Sequence, residues 1–197
     1  MTNIRSELCK SARYFHQRGW MMGTAGNLSA KDDDTFWITA SGQSKGSLTE
    51  QQLIHMNMSG TVMTQNPGYK PSAETSIHVV AYNLFPTIQA CLHVHMVEGN
   101  WVCDDHLQSN WIPLPHIEML KGFGWKGGPA HILVTDNHDH VPAIAQEMLY
   151  MFNQPQESFI VPGFLIRGHG VTAWGESIEE ARNRIELLSF IFSYMCR

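Results

Sequence analysis

The chain has 197 residues and a formal charge of −5, a size that buries a substantial core as a single domain, residues 1–197, without disulfide or metal staples. An acidic balance with no basic run excludes an electrostatic nucleic-acid binder, and no apolar stretch approaches the about 18 residues of a membrane span. The four cysteines, Cys9, Cys91, Cys103 and Cys196, are scattered without a C-x-x-C pair, and Met1–Glu7 has no signal-peptide core; a cytoplasmic protein with reduced thiols is expected.

In chain order, Ile4, Leu8, Ala12 and Phe15 form one stripe that stops at Gly19, which predicts a helix over 4–18. The small residues of Gly23–Ser29 lead into a strand, Asp32–Asp34 reverse it, and Phe36–Ala40 return as a second strand. Ser41–Gly46 is a hydroxyl-rich loop, and Thr49 with Gln52 fits a capping box opening a short helix. Two short strands around Ser59-Gly60 follow. Ser72 is the expected N-cap of a helix over 73–84 with Ile77, Val80, Ala81 and Leu84 on its stripe. An apolar strand over 88–95 precedes a helix near 97–104, and Trp111–Leu114 precedes the segment Pro115–Gly122. Pro142 opens a helix to Phe152, Phe159–Arg167 reads as a strand broken at Pro162-Gly163, and Val171–Trp174 is extended. Ser177 with Glu180 forms a second capping box before a helix running nearly to the end. Short turns join several strands, so an α/β fold is expected, a mixed and largely antiparallel sheet flanked by helices.

The chemistry concentrates in Ala90-Cys91-Leu92-His93-Val94-His95. A strand's two-residue period puts both imidazoles on one face, which makes half of a tetrahedral zinc site. A lone buried histidine is more often a satisfied core residue, but two at adjacent same-face positions have few apolar uses. His169, between glycines at the end of another apolar run, is the candidate third ligand. His78, His131, His138 and His140 are further nitrogen donors, the last two in an aspartate-rich loop that reads as solvated. Three stretches suit a phosphate: Gly23–Ser29, Ser41–Lys45, and the helix start after Ser72. Glycines admit close backbone N–H groups, hydroxyls add donors, and a helix start offers free amides; Lys45 adds a point charge. Such a stretch alone is usually just a turn, but three of them beside a metal signal point to a phosphorylated substrate. Glu74 at a helix start and Glu118 in a mostly apolar segment are candidate proton carriers beside a metal-bound carbonyl. Their simpler roles are a favourable charge at a helix start and a surface pair with Lys121.

Taken together, Gly23–Ser29, Thr39–Gly42 with Lys45-Gly46, Lys70–Thr75, His93-Val94-His95, Glu118–Gly122 and Pro162–Val171 with Trp174-Gly175 resemble the zinc-dependent class II aldolases. Among these the methylthioribulose-1-phosphate dehydratase branch of methionine salvage is the most similar, over nearly the whole chain. The resemblance implies a three-layer α/β/α domain, a fourfold-symmetric homotetramer with active sites at subunit boundaries, and one Zn2+ per subunit on His93, His95 and His169. It implies phosphate contacts from Gly26, Asn27, Ser41, Gly42 and Ser72. It also implies a hydro-lyase that converts 5-methylthioribulose 1-phosphate to 2,3-diketo-5-methylthiopentyl 1-phosphate. The acid/base is the position of Glu74 in the aldolases and that of Glu118 in some dehydratases; this chain has both, and Glu118 is favoured. Ala40, where relatives commonly have proline, and the region His131–His140 depart from the pattern. The alternatives are a sugar-phosphate aldolase of the fuculose- or rhamnulose-phosphate type, an epimerase, or a non-catalytic scaffold of the same fold.

Overall fold

The computed structural model describes residues 3–64 and 66–196; the expectation about the first residues falls partly on Met1 and Thr2, which lie outside them. Eight strands build one sheet: β1 (Asn27–Asp32), β2 (Thr35–Thr39), β3 (Leu53–Asn57), β4 (Ala90–Val94), β5 (Trp111–Pro113), β6 (Ala130–Thr135), β7 (Phe159–Ile166) and β8 (Gly170–Gly175). Their order is β3-β2-β1-β4-β8-β7-β6-β5, and every neighbouring pair is antiparallel except β6 with β7.

Helices cover both faces. On one side α1 (Ile4–Gln17), α3 (Val97–Asp104) and α5 (Ile178–Met195) bury Leu8, Phe15, Val102, Leu188 and Phe192 against Leu28, Leu92 and Val94. On the other, α2 (Thr75–Leu84) and α4 (Val141–Phe152) bury Ile77, Ala81, Ile144 and Met148 against Cys91, Phe164 and Trp174. The alternation along β4 is the strand period made visible: Leu92 and Val94 point to the first core, Cys91 to the second. A central strand clad on both faces needs no polar side, and all five residues of β4 are buried.

Several elements differ from their sequence patterns for local reasons. The helix after Ser72 begins at Thr75 with Glu74 at its N-cap position. Ser72 sits one turn earlier, its Oγ accepting the Glu74 N–H at 3.2 Å and its carbonyl accepting Thr75 Oγ1–H at 2.6 Å. Beyond β3 the second strand is reduced to an isolated bridge between Met56 and Val62, because Asn57 Oδ1 takes the N–H groups of Ser59 and Thr61 and closes a tight turn. Pro162-Gly163 does not break β7. The strand runs through, and its register against β6 slips between His131 and Leu133 instead. β6 itself lies where the sequence pattern is silent. Ser177 Oγ caps Glu180 N–H at 3.0 Å, but the Glu180 carboxylate takes the N–H of Glu176, so only half of the expected capping box forms. The Thr49–Gln52 box forms on a single 3-10 turn, with Thr49 N–H donating to Gln52 Oε1 at 2.9 Å.

Candidate metal centre and active site

Cross-strand register places the site. Asn27 on β1 pairs with His93 on β4, and His93 pairs with Thr172 on β8, so the three share one row on the α2/α4 face. His95 follows two residues later, just past the strand end, pinned where its N–H donates to Trp20 O at 2.8 Å. His169 sits in the β7–β8 turn, a tight reversal with Gly168 at φ +57° and His169 N–H bonded to Ile166 O. Close approach of β8 to β4 here requires Gly170, since a side chain at that position would strike the Val94 carbonyl and the His93 ring.

The three imidazoles converge. Their ring centroids are 4.9, 5.0 and 4.7 Å apart, each pair nearly perpendicular at 76, 77 and 75°. Glu74, brought over them by the turn before α2, completes a cluster whose ligand atoms all lie within 4.8 Å of one another. Glu74 Oε2 is 3.3 Å from His93 Nε2, Glu74 Oε1 is 3.2 Å from His169 Nε2, and His93 Nε2 is 3.1 Å from His95 Nε2. His93 Nδ1 meets Thr172 Oγ1 at 2.9 Å, which leaves Nε2 free to present its lone pair to the centre. Burial holds the His93 imidazole below its ordinary value despite the Glu74 charge, and burial together with His93 and His169 lowers His95 to about 3. Burial alone would raise the Glu74 carboxyl. The charge of His93 and hydrogen bonds from His169 and Asn27 outweigh it and hold Glu74 well below the usual carboxylate range. Three imidazoles closing on an ionised carboxylate in a buried pocket suit a divalent cation, whose charge takes the place of the protons that His93 and His169 otherwise present to Glu74. The buried His169 Nδ1 has no hydrogen-bond partner among the described residues.

Beside this cluster, Gly26, Asn27, Ser41, Gly42, Lys45 and Ser72 line one pocket of about 240 Å³ together with Glu74 and His95. Thus the three separate loops suggested by the sequence meet at one place. They are tied by an antiparallel bridge between Ala40 and Pro71 and by Ser41 N–H donating to Lys70 O at 2.8 Å. Gly26 has φ +76°, and a side chain there would collide with Met21 and the His93 carbonyl, so the backbone comes as close to β4 as only glycine permits. Lys45 is 1 % exposed, and its Nζ donates to Thr24 O at 2.9 Å and Gln43 O at 2.8 Å.

Glu118 stands apart from the cluster. It opens a 3-10 turn, its side chain is 80 % exposed, and it pairs with Lys121 at 3.0 Å. Of the other histidines, His138 pairs with Glu147, His131 meets Ser158 Oγ, and His140 precedes α4 on the surface. His78, by sequence a possible nitrogen ligand, lies fully buried behind Glu74 and bonds to Asn27 and Ser29. Its signal in the sequence was the Glu74-x-x-x-His78 spacing, which places both groups on one side of a helical turn.

The profile of the Class II Aldolase and Adducin N-terminal domain matches residues 6–196. The chain belongs to the class II aldolase family. This class II aldolase chain is 48 % identical to the methylthioribulose-1-phosphate dehydratase of Microcystis aeruginosa, covering 99 % of this chain and 96 % of that protein. Likeness to the protein of the same name from Leptospira biflexa is 42 %, over 97 % of this chain and 95 % of that one. Among solved structures, YgbL of Escherichia coli superposes with a TM-score of 0.81 at 26 % identity, over 97 % of this chain and 87 % of YgbL. The class II aldolase fold therefore accounts for the mixed eight-stranded sheet and both helical layers.

Proposed function

We propose that this protein dehydrates 5-methylthioribulose 1-phosphate to 2,3-diketo-5-methylthiopentyl 1-phosphate in methionine salvage, as a cytoplasmic zinc-dependent hydro-lyase. The observation that carries this reading is the full-length likeness to the Microcystis aeruginosa protein at 48 % identity. His93, His95 and His169, with Glu74 as the neighbouring carboxylate, would hold one zinc ion per subunit. Bound there, zinc supplies a Lewis acid that polarises the carbon-2 ketone and acidifies the proton on carbon 3.

The chain's own groups do the rest. Backbone amides at Gly26 and Gly42, the hydroxyls of Ser41 and Ser72, the Asn27 amide and the Lys45 ammonium seat the phosphate in the loop pocket. Glu74 faces His93 Nε2 and His169 Nε2 from inside the cluster at 3.3 and 3.2 Å, so it is engaged with the cation's ligands rather than free to carry the substrate's proton. Its place is to offset the cation's charge. The proton on carbon 3 then falls to Glu118, which also returns a proton to the carbon-4 hydroxyl as that leaves as water; tautomerisation of the resulting enol gives the diketone. In a fourfold homotetramer with sites at subunit boundaries, Glu118 of one chain serves the site of its neighbour, which explains a reactive carboxylate left at the surface of the single chain.

Incubating the purified protein with methylthioribulose 1-phosphate and following dicarbonyl formation tests the reading. Dihydroxyacetone phosphate and an aldehyde would mark aldol cleavage instead, and no turnover by zinc-loaded protein would overturn the assignment.

Lys45 makes a further expectation quantitative. Burial, only partly offset by Glu74, lowers its ammonium from 10.5 to about 8. The unfolded chain therefore binds more protons than the folded one between these values, so folding stability rises with pH across that window. Phosphate binding needs the charged form, so kcat/KM should fall above about pH 8 as Nζ loses its proton. Lys45→Met should raise KM about tenfold, the worth of one charge-assisted hydrogen bond. It should also flatten the rise in melting temperature between pH 8 and 10.5. Steady-state kinetics and thermal melts across pH measure both.

A further inference from the structure

Behind Glu74 a line of hydrogen bonds runs into the core on the α2/α4 side. Asn27 Nδ2 donates to Glu74 Oε2 at 2.8 Å, and Asn27 Oδ1 meets His78 Nε2 at 2.5 Å. His78 Nδ1 then meets Ser29 Oγ at 2.6 Å, which meets Tyr82 Oη at 2.7 Å. All four residues behind the carboxylate are buried, Asn27 at 5 %, His78 and Ser29 at 0 % and Tyr82 at 2 % exposed. His78 and Tyr82 lie one turn apart on α2, while Asn27 and Ser29 are alternate residues of β1 facing that helix.

An ionised carboxylate has no proton to give, so one end of this line has a fixed sense. Asn27 must turn its NH2 toward Glu74, which leaves its carbonyl oxygen facing His78. That oxygen needs a donor, so His78 carries its proton on Nε2, and Nδ1 becomes an acceptor. Ser29 must then donate to Nδ1 at 2.6 Å rather than to the Cys91 carbonyl at 3.5 Å, which leaves the Tyr82 hydroxyl to donate to Ser29 Oγ and the Cys91 carbonyl. Each member thus fixes the direction of the next, and no buried atom along the line is left with two donors or two acceptors facing. Should the ring carry its proton on Nδ1 instead, Asn27 would present its carbonyl oxygen to the Glu74 anion.

We infer that His78, braced by Ser29 and Tyr82, is a positioning residue: it fixes the Asn27 amide so that Glu74 is held as an oriented anion in the cation cluster. Burial lowers the His78 imidazole to about 3, so the ring stays neutral over the working range and the line keeps its sense. The inference rests on the reading of Glu74, His93, His95 and His169 as a metal centre, and partners behind a ligating carboxylate are known to set affinity and orientation.

Two measurements made without substrate test it. Long-range proton–nitrogen NMR spectra of nitrogen-15-histidine-labelled protein should show His78 protonated on Nε2 alone, in both zinc-free and zinc-loaded protein. A ring protonated on Nδ1, or on both nitrogens near neutral pH, would overturn the inference whatever the activity. Zinc titration against a chelator should show His78→Leu binding about 10- to 100-fold more weakly, with kcat down by a similar factor and KM moved less. His78→Gln, which keeps an N–H for the Asn27 carbonyl, should recover most of the loss, and Tyr82→Phe should show a smaller one. Native zinc affinity and kcat in a folded His78→Leu protein would reduce His78 to packing and sink the proposal. Should that variant not fold, the tautomer in the native protein and the Tyr82→Phe titration decide. Protein that binds zinc and shows the expected tautomer, yet does not dehydrate the substrate, would refute the proposed function while leaving this inference standing.

Discussion

His95→Ala should purify without stoichiometric zinc and turn over at least about 1,000-fold more slowly, because a Lewis acid worth several kcal/mol is lost with its site. Of the three imidazoles this one isolates the chemistry best. His93 is 1 % exposed and tied to Thr172, so His93→Ala, which should lose metal and activity together, also opens a hole in the core. His95 lies past the end of β4 and is only partly buried, and its removal leaves the strand pairing of the sheet untouched. Elemental analysis reads the metal, and a thermal melt reads the fold. Stripping the native protein with a chelator should give the same inactive but folded state, since two apolar layers hold the sheet without help from an ion. The melting temperature should then climb with added zinc as binding to the folded state alone dictates. Full activity in zinc-free protein would remove the metal from the mechanism, and zinc bound at full strength by His95→Ala would remove His95 from the metal site.

How far the sequence foretold this depends on whether a feature is periodic or three-dimensional. The stripe of α1, the paired strands around Asp32–Asp34 and the His93-Val94-His95 spacing are local patterns, and the fold places each of them as its period requires. Ser72 has the sequence pattern of a cap yet lies in the turn before α2, because hydroxyl residues serve tight turns and helix starts by the same hydrogen bond to a backbone N–H. β6 has no clear sequence signal because its apolar run is short and follows a glycine-rich turn, and it joins the sheet through a parallel partner far along the chain. The buried line from Glu74 to Tyr82 was invisible for a deeper reason. Its members come from β1 and α2, more than 40 residues apart, and nothing in either segment alone states that a serine, a histidine and an asparagine will be satisfied by one another. The choice between two glutamates is the same kind of question: Glu74 is inside the cluster and Glu118 outside it, a distinction that only packing can make.

That choice yields the sharpest expected result. Glu118→Gln should keep its zinc and its melting temperature while kcat falls by about 100- to 10,000-fold, the usual worth of a positioned general base. Glu118 is 80 % exposed in the single chain and pairs with Lys121, so it carries little folding energy there, and an unchanged assembly size for Glu118→Gln separates lost chemistry from a lost subunit contact. Glu74→Gln should fail differently. It removes the anion that faces His93 and His169, so metal affinity falls first, and excess zinc restores part of the rate, which it cannot do for Glu118→Gln. Mixed assemblies then locate Glu118. When His95→Ala and Glu118→Gln chains are co-expressed, a site built within one chain is always defective, since each chain lacks one component. If Glu118 acts across a subunit boundary in a cyclic tetramer, about one quarter of the sites in a random mixture combine an intact histidine cluster with an intact neighbouring carboxylate. Activity near that fraction of the native rate places the proton carrier in trans. None above the parent variants would return it to the chain that holds the metal, and an undiminished Glu118→Gln enzyme would hand the proton to Glu74.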